Sequence, residues 1–481
     1  MKPLETINYK AAARAAIDDP VLQKSLANLQ DRLGKGAAQG YRELPEGPDL
    51  RLKAHDIRME SIEHLDILLS ALAEKIRRHG GHVHFARDGA AAVNHCLAIA
   101  RRHNVSLAVK GKSMLTEEIG LNQALSGAGI EAVETDLGEY IIQLAGETPS
   151  HIVAPAIHKT KEQVGRLFKD KLGIPYTDDP PALTLAARKA LRKKFLKADM
   201  GISGCNLACA ETGHITTVSN EGNIRMVTTL PKVHVAFMGM ERVVADLKDH
   251  AILFRLLSIG AAAQKMAGYV SYLRGPGKNR RSGGPEAFHL IIVDNGRSRI
   301  LADHDFREML CCVRCGACLN VCPVYAKIGG HSYGFAYSGP VGAVVNPLLQ
   351  GINRYADLCL GETLCGACME ACPVNIDIPR MLLLLRAKLA RGDKAWNVNV
   401  HSRTEQAAFV AWSYLIRNRR LYDFLIKFAY LGQKMMPANG QMIKRLPLAG
   451  RGWTQSRDLQ PIAARSFIAN LRHPKTGKPY D

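Results

Sequence analysis

The sequence predicts an α/β domain with a mainly parallel sheet, then a smaller cysteine-rich domain and a basic helical C-terminal region. Three observations predict this order. Short apolar stretches alternate with helical ones from His82 onward, two similar cysteine motifs lie between residues 311 and 373, and Lys and Arg are in excess after residue 395. With 481 residues, 47% of them hydrophobic, the chain is long enough for several domains. We expect boundaries at 1–60, 61–300, 301–390 and 391–481.

The N-terminal segment 1–60 is predicted to be helical. Four leucines are spaced four, three and four residues apart, which places them on one helix face: Leu22, Leu26, Leu29 and Leu33. Gly34 and Gly36 are expected to end this helix. A second apolar stripe runs from Ile62 to Ile76, and Gly80 supplies its stop signal. Both helices are interpreted as packing elements.

The α/β domain is predicted from strands and helices that alternate. The predicted strands are Val83–Ala86, Ser106–Lys110, Gly129–Glu134, His151–Ala156, Gly201–Val218, Val233–Met238 and Leu290–Val293, and the helices between them are Ala90–Arg102, Thr116–Gly127 and Pro181–Lys197. This alternation favours βαβ units, with ligands bound at the strand ends. No G-x-G-x-x-G motif opens a helix after the first strand, so a nicotinamide-binding domain is unsupported. A classical hydrolase, metalloprotease or NTPase is disfavoured as well, because their motifs are missing.

The two cysteine motifs have the spacing of iron–sulfur ligands. The first is Cys312-x2-Cys315-x2-Cys318-x3-Cys322-Pro323, and Cys365-x2-Cys368-x3-Cys372-Pro373 repeats its second part. Three closely spaced thiolates reach one cube, whereas the cysteine before proline ligates the other cube. This predicts two [4Fe–4S] clusters with crossed ligation, the first held by Cys312, Cys315, Cys318 and Cys372 and the second by Cys322, Cys365 and Cys368.

The fourth ligand of the second cluster is left open by the spacing. Glu362 stands three residues before Cys365, where a cysteine would complete the motif. We favour Cys359, and the alternatives are Glu362 or an incomplete site with three thiolates. Cys311 is spare, because its neighbour Cys312 has the correct spacing. Zinc would take four ligands rather than two larger sets, and disulfides are improbable in a chain without an export signal.

Outside the cysteine motifs, Lys110, Lys112 and Ser113 precede a predicted helix start, where an anion could bind. Helix capping by Ser113 is an equal alternative. Glu211 and Asn220 lie in two polar turns that could converge on a ligand, although turn chemistry alone explains them. We therefore predict a ligand or cofactor site from these five residues. The sequence assigns no catalytic residue.

Three further residues have a functional and a purely structural interpretation. Asp136 and Glu139 either place two carboxylates at the end of a strand or cap a helix. His158 is either an acid, a base or a metal ligand, or more simply a histidine of the core. Cys205 and Cys209 are interpreted as buried thiols.

The net charge is +20, and residues 395–481 contribute +10 of it. Such an excess suggests an anionic binding partner. A basic surface attracts acidic proteins, nucleic acid or anionic membrane. The amphipathic stretch Phe409–Leu431 favours docking to a partner subunit or to a membrane surface where quinone could receive electrons. A packed helix with a solvated basic face is the plain alternative. Nucleic acid is not expected, because few aromatic residues stand at stacking spacing.

The N-terminus has no apolar core of a signal peptide, and the longest hydrophobic runs are near ten residues, whereas a membrane span needs about 20. We therefore expect a cytoplasmic protein, with a peripheral position at the inner membrane face left open.

Several segments together resemble the lactate utilization protein B family. They are Val109–Gly120, Glu134–Tyr140, Pro155–His158, Gly201–Asn206, Ala210–Gly213, Asn220–Asn223 and Met238–Glu241, followed by both cysteine motifs and the turn Gly329-Gly330-His331. The resemblance covers nearly the whole chain. Glu362 departs from the family pattern, which often has a thiol there.

The resemblance implies a lactate-utilization domain with the NagB/RpiA/CoA-transferase-like fold of sugar-phosphate isomerases and CoA transferases. It also implies a ferredoxin-like domain with two clusters and a C-terminal helical domain. Proteins like this act with a cysteine-rich iron–sulfur subunit and a second subunit with a lactate-utilization domain, and together they oxidise L-lactate to pyruvate. The expected function is therefore electron transfer in such a complex. Two alternatives are an electron-transfer or assembly subunit of another dehydrogenase and a nucleic-acid-binding iron–sulfur protein.

Overall fold

The computed structural model describes residues 8–45, 47, 49–277, 284–400, 402–434, 442–446, 448–464 and 467. The chain divides into two compact units, Met1–Asn399 and Val400–Asp481. The strands of the first unit are β1 His82–Ala86, β2 Leu107–Lys110, β3 Glu131–Glu134, β4 Met200–Gly204, β5 Leu207–Cys209, β6 His214–Ser219, β7 Val233–Gly239, β8 Val243–Val244, β9 Tyr269–Leu273 and β10 Ala287–Val293.

The α-helices of the first unit surround these strands. They are α1 Tyr9–Ile17, α2 Pro20–Leu29, α3 Lys35–Arg42, α4 Asp49–Glu63, α5 Leu65–Arg78, α6 Gly89–Arg102, α7 Met114–Glu118, α8 Leu121–Gly127, α9 Leu137–Ala145, α10 Lys161–Leu172, α11 Pro180–Lys197, α12 Asn223–Thr229, α13 Leu247–Ala262, α14 Arg297–Ala302, α15 Tyr325–Ile328, α16 Gly339–Gln350, α17 Ala356–Gly361, α18 Ala367–Ala371 and α19 Ile378–Arg391.

A parallel sheet forms the centre of the α/β domain, as the alternating pattern predicts. Its strand order is β1-β10-β7-β4-β2-β3, and every neighbouring pair is parallel. Helices α6 and α8 bury one side of the sheet, with Cys96 and Leu121 in the core, and α10 and α11 bury the other side around Phe168. Because both faces are covered, β2 and β7 are buried along their whole length and mainly apolar, with Lys110 and His234 as the polar exceptions.

A second sheet corrects the single strand predicted over Gly201–Val218. This segment forms β4, β5 and β6, and only β4 belongs to the parallel sheet. Strands β5 and β6 pair in antiparallel fashion in a sheet of order β8-β5-β6-β9. The chain reverses between them at Gly213, whose φ of +72° is accessible to glycine at little cost. The single predicted strand therefore concealed a change of sheet.

Two other predicted elements are also different. Residues His151–Ala156 form turns rather than a strand, because Nδ1 of His151 accepts the backbone N–H groups of Val153 and Ala154, each at 3.0 Å. The helix predicted over Thr116–Gly127 is broken into α7 and α8 by Gly120, which has a φ of +66°.

The N-terminal helices pack against the cysteine-rich region in one apolar core. Their leucine stripe is buried together with Leu319 and Tyr325. The helical path continues from α2 through a π-turn at Gln30–Gly34 into α3, so the predicted helix end at Gly34 and Gly36 is wrong. A Cβ at Gly34 would lie 2.8 Å from the carbonyl oxygen of Asn320, so this glycine permits a close approach rather than a stop.

The described part of the second unit contains two α-helices, α20 Arg403–Arg417 and α21 Arg419–Gln433, and the 3₁₀-helix Leu448–Gln455, within the predicted basic helical region. Neither α-helix has a buried residue. Large apolar side chains are exposed on both, among them Phe409, Trp412, Tyr414, Phe424 and Phe428. Across the part of the chain that the structure describes, no helix has the length and apolar character that a membrane span requires.

Candidate functional site

The two cysteine motifs adopt the same backbone conformation. In the first loop Arg314 and Gly316, on either side of Cys315, have φ angles of +57° and +80°. In the second loop Leu364 and Gly366, on either side of Cys365, have φ angles of +58° and +87°. Left-handed φ is costly for arginine and leucine, so its recurrence marks a constrained loop rather than chance. The sequence repeat is therefore also a repeat in three dimensions.

Four thiols form the first group, those of Cys312, Cys315, Cys318 and Cys372. Burial raises the pKa of Cys315, and electrostatic interactions with Cys372 and Cys312 raise it further. The Cys318 thiol has Cys312 and Cys315 as its neighbours, and Cys372 in turn is affected by Cys312. Backbone N–H groups of Arg314 and Ala317 donate to the sulfurs of Cys312 and Cys315, each at 3.4 Å. Such N–H donors stabilise thiolates.

The second group contains Cys322, Cys365 and Cys368 together with a carboxylate. Burial raises the pKa of Cys368 to about 12, and Glu362 and Cys365 contribute further. The Cys322 thiol lies 3.6 Å from Oε2 of Glu362. Cys365 is exposed, and a side-chain hydrogen bond with Thr363 lowers its pKa. This group therefore reaches the protein surface, whereas the first group is largely covered.

The two remaining cysteines near the motifs have other neighbours. The Cys311 sulfur contacts the sulfur of Met59 at 3.3 Å. Cys359 is fully buried in α17, and burial raises its pKa to about 12, with Arg386 as its charged neighbour. None of the charged groups that act on Cys359 belongs to the second thiol group.

These residues fit a pair of iron–sulfur cubes. All 12 cysteines are free. Among the described residues, no set of three or more His, Cys, Asp or Glu side chains converges closely enough for a single metal ion. A cube is larger than an ion and takes one thiolate at each of its four irons, so its ligands stand further apart. Two neighbouring thiol groups, mostly buried apart from Cys365 and with backbone N–H donors to Cys312, Cys315 and Cys322, suit such clusters.

A cavity of about 360 Å³ lies between the α/β domain and the first thiol group. Its walls come from the loops that follow β2, β3, β4 and β7, which end at the same edge of the parallel sheet. Ligands of open α/β sheets bind at this carboxyl edge. The cysteine-rich region closes the cavity with Arg314, Cys315 and Tyr337. A ligand in the cavity would therefore contact a residue of the first thiol group.

Charged side chains of both signs line the cavity. The cations are Lys112, Arg242, Arg297 and Arg314, and the carboxylates are Asp136, Glu221 and Glu241. Arg297 is neutralised, because it pairs with Glu118 at 2.8 Å and with Glu241 at 2.9 Å. Arg242 and Arg314 each keep one buried guanidinium nitrogen, Nη1, without a hydrogen-bond partner. Arg242 also lies 3.7 Å from the Glu241 carboxylate and Arg314 stacks on the Tyr337 ring, so the two Nη1 groups are the donors that remain for a bound anion.

One carboxylate of the cavity has an unusual proton affinity. Burial, and then the neighbouring Asp136, raises the pKa of Glu221 to about 7. Its Oε2 accepts the backbone N–H of Leu137 at 3.1 Å. A carboxylate with this pKa exchanges protons near neutral pH, which is where a general base is most effective.

The structure brings together three of the five residues predicted for the ligand site. Lys112, Ser113 and Asn220 line the cavity. Lys110 is buried against Glu134, with Nζ and Oε1 2.8 Å apart, and does not reach the cavity. Glu211 also lies outside, where its Oε2 accepts the backbone N–H of Leu247 at the start of α13.

Of the three residues with a functional and a structural interpretation, only Asp136 lines the cavity. Asp136 lines the cavity and also caps α9, whereas the Glu139 carboxylate is buried 3.5 Å from the Lys112 ammonium group. His158 is partly buried and pairs with Glu147 at 2.8 Å, outside the cavity. Sequence reasoning missed Arg242, Arg297 and Arg314. Arg314 lies inside the first cysteine motif, and Arg242 directly follows Met238–Glu241. Their positions next to these motifs could have identified both arginines as site residues.

Comparison with known proteins agrees with this architecture. The LUD domain model matches residues 69–293, and the 4Fe-4S dicluster domain model matches residues 308–376. Lactate utilization protein B of Bacillus licheniformis is 42% identical, over 94% of each chain. The protein of the same name from Bacillus subtilis is 41% identical, over 94% of this chain and 93% of its own.

The chain belongs to the lactate utilization protein B family. The predicted family is thereby confirmed, and so is an iron–sulfur domain of the 4Fe–4S type that contains both cysteine motifs. An uncharacterized electron transport protein, YkgF, of Escherichia coli strain K12 is 44% identical over 96% of this chain and 95% of its own. In this member of the lactate utilization protein B family the cavity lies at the junction of the two matched domains.

Proposed function

We propose that the protein is the iron–sulfur electron-transfer subunit of a complex that oxidises L-lactate to pyruvate. The observation that supports this most is the cavity, which combines free anion-binding donors with Cys315 of the first thiol group. The names of its relatives point to lactate utilization and to electron transport. The α/β domain is proposed to have the fold of sugar-phosphate isomerases and CoA transferases, and the protein to work in the reducing cytoplasm, where free cysteines persist.

The proposed ligands follow the two thiol groups. Cys312, Cys315, Cys318 and Cys372 would hold one [4Fe–4S] cluster, and Cys322, Cys365 and Cys368 would hold three irons of a second. When bound, each cluster accepts one electron, so that two clusters together take up both electrons released as lactate becomes pyruvate and two protons.

The cavity residues would bind and deprotonate the substrate. Arg242 and Arg314 offer unpaired guanidinium donors to the carboxylate of lactate, and charge-assisted bonds of this kind are the strong ones. Glu221 would accept the hydroxyl proton, because its pKa of about 7 leaves much of it ionised at neutral pH. Cys315 lines the same cavity, so the electrons would have a short path to the first cluster.

Arginines next to the first thiol group would raise the reduction potential of the cluster bound there. Arg58, Arg242 and Arg314 all interact electrostatically with Cys312. Positive charge near a cluster favours its reduced form, so the potential should lie above the value of about −400 mV of plant-type ferredoxins. Such a rise is needed for a cluster that receives electrons from lactate.

The exposed Cys365 marks the proposed exit for electrons. The proposed acceptors are a cysteine-rich iron–sulfur subunit and a subunit with a second lactate-utilization domain. Quinone at an anionic membrane surface is the alternative acceptor, since residues 395–481 are strongly basic.

The function is tested on the complex purified anaerobically with its partner subunits. Addition of L-lactate should produce the EPR signals of reduced [4Fe–4S] clusters and about one pyruvate for each pair of electrons. Clusters that dithionite reduces but lactate leaves oxidised would exclude lactate as the donor. A deletion strain that fails to grow on lactate but grows on other carbon sources would support this function over that of an electron-transfer subunit of another dehydrogenase.

The pH dependence of the reaction should report on Glu221. Its carboxyl group is protonated below its pKa of about 7 and ionised above it. The rate of lactate-dependent cluster reduction should therefore rise with pH and level off above an inflection near 7. Glu221→Gln should lower the rate by roughly 100-fold or more and remove the inflection. Stopped-flow spectroscopy between pH 5.5 and 8.5 measures both.

Glu211→Gln is the matched control, because Glu211 is exposed and lies outside the cavity. An unchanged pH profile in Glu221→Gln would show that another group accepts the proton.

The apolar side chains of α20 and α21 should contribute to subunit docking. Trp412 and Phe428 are 53% and 62% exposed, and aromatic residues of this kind dominate many protein interfaces. The double variant Trp412→Glu, Phe428→Glu should lose the partner subunits on affinity purification and keep its iron content. Glu405→Gln, a polar change on α20, is the control. If the double variant still co-purifies, the partners bind elsewhere.

A further inference from the structure

We propose that the carboxylate of Glu362, rather than the thiol of Cys359, is the fourth protein ligand of the second cluster. Carboxylate ligation would give the protein one cluster with a chemically distinct, exchangeable iron. The inference goes beyond lactate oxidation and rests only on the proposal of a second cluster.

The internal repeat gives Glu362 the position of a ligand. When Leu364 and Gly366 are aligned with Arg314 and Gly316 by their matching positive φ angles, Glu362 corresponds to Cys312. Both residues directly follow a helix, the 3₁₀-helix Arg307–Cys311 in one case and α17 in the other. Both are extended, with ψ angles of 120° at Cys312 and 150° at Glu362. Cys312 begins the first ligand loop, so Glu362 begins the second.

The contacts of Glu362 direct its carboxylate toward the second thiol group. One oxygen, Oε2, lies 3.6 Å from the Cys322 sulfur, and Oε1 accepts the hydroxyl of Tyr333 at 3.0 Å. The side chain is buried, and it interacts electrostatically with the thiols of Cys322, Cys368 and Cys365. Burial of this carboxylate is costly even though Arg386 acts on it electrostatically, and ligation of an iron would compensate that cost.

Cys359 has none of these relations. It is held in α17, where its carbonyl oxygen accepts Nε of Arg386 at 2.7 Å. Arg386 also donates to the carbonyl of Glu362 at 2.7 Å and so fixes both residues in place. The charged groups that act on the Cys359 thiol include Arg386 but no thiol of the second group.

A carboxylate ligand predicts a specific chemical behaviour. Thiolates suit iron–sulfur clusters better than the harder carboxylate oxygen, so the iron at Glu362 should be the one most easily lost. Ferricyanide would take one electron from a [4Fe–4S]²⁺ cluster, and release of one Fe²⁺ would then leave [3Fe–4S]⁺. Glu362→Cys should resist this conversion, because all four ligands would be thiolates.

The test compares the full-length protein with Glu362→Cys, Glu362→Gln and Cys359→Ser, all purified anaerobically. Iron content is measured before and after one equivalent of ferricyanide per second cluster, and EPR detects the three-iron signal. The wild type and Cys359→Ser should lose about one iron and show the signal. Glu362→Cys should keep its iron, and Glu362→Gln should lose at least as much iron even before oxidation.

Two results would overturn the proposal: Cys359→Ser that loses more iron than the wild type, or Glu362→Gln that behaves like the wild type. Dithionite-reduced spectra of the first cluster verify that each variant is folded. A wild type with about four irons per chain would instead contradict the proposal of a second cluster. That result is therefore distinguishable from a failure of the Glu362 assignment alone. Tyr333→Phe should increase the loss of iron, because it removes the donor that orients the carboxylate.

Discussion

Replacement of Cys312 by serine is expected to remove the first cluster, so the iron content should fall from about eight to about four per chain. Lactate-dependent reduction of the remaining cluster should fall by more than about 100-fold, since loss of an outer-shell partner alone typically costs 10–100-fold. The physical reason is that Cys312 is a member of the thiol group beside the cavity and receives the backbone N–H of Arg314. Iron analysis and EPR after dithionite and after lactate measure both effects.

Cys311→Ser is a closely matched control, because it changes the adjacent cysteine. Its sulfur contacts Met59 and is turned into the apolar core, so the variant should keep about eight irons and its response to lactate. Loss of the first cluster in Cys311→Ser, with Cys312→Ser unaffected, would reverse the assignment of the two cysteines.

Arg58→Met is expected to have the largest effect on stability. Arg58 is fully buried, and its guanidinium group donates to four backbone carbonyls, those of Glu241, Val243, Leu310 and Cys311. Methionine preserves the apolar packing but leaves these acceptors buried without a donor, at about 1–3 kcal/mol each. The expected loss is about 4 kcal/mol or more, which corresponds to a thermal midpoint lower by roughly 5 °C for a unit of this size.

The same carbonyls lie on both sides of the domain junction, two after β7 and two directly before Cys312. The variant should therefore also release iron from the first cluster at lower temperature than from the second, as monitored by absorbance during heating. Arg32→Met, on the exposed side of the N-terminal helical path, is the control and should change stability by less than about 0.5 kcal/mol. An equal midpoint for Arg58→Met and Arg32→Met would mean that the four carbonyls find other donors.

The local sequence alone carried the prediction of an iron–sulfur domain, which the family comparison supports. Ligand spacing within twelve residues fixes the geometry of a cluster loop, so the cysteine motifs could be interpreted without any knowledge of the fold. Alternation of apolar strands with helices likewise predicted the parallel sheet, since a sheet covered on both faces needs apolar residues along entire strands. The leucine stripe from Leu22 to Leu33 is buried as its periodicity indicates.

Only the tertiary structure decided what surrounds these elements. Arg242 and Arg314 are more than 70 positions apart in the sequence and meet at one cavity because strand ends converge at one edge of the sheet. The hydrogen bonds accepted by the His151 side chain form turns where a strand was predicted. Gly34 was predicted to end a helix, but it instead allows the close approach of the Asn320 backbone. Motifs carry their chemistry within a few residues, whereas a cavity exists only after distant segments pack. The sequence therefore determined the cluster loops, and packing determined which charged residues lie beside them.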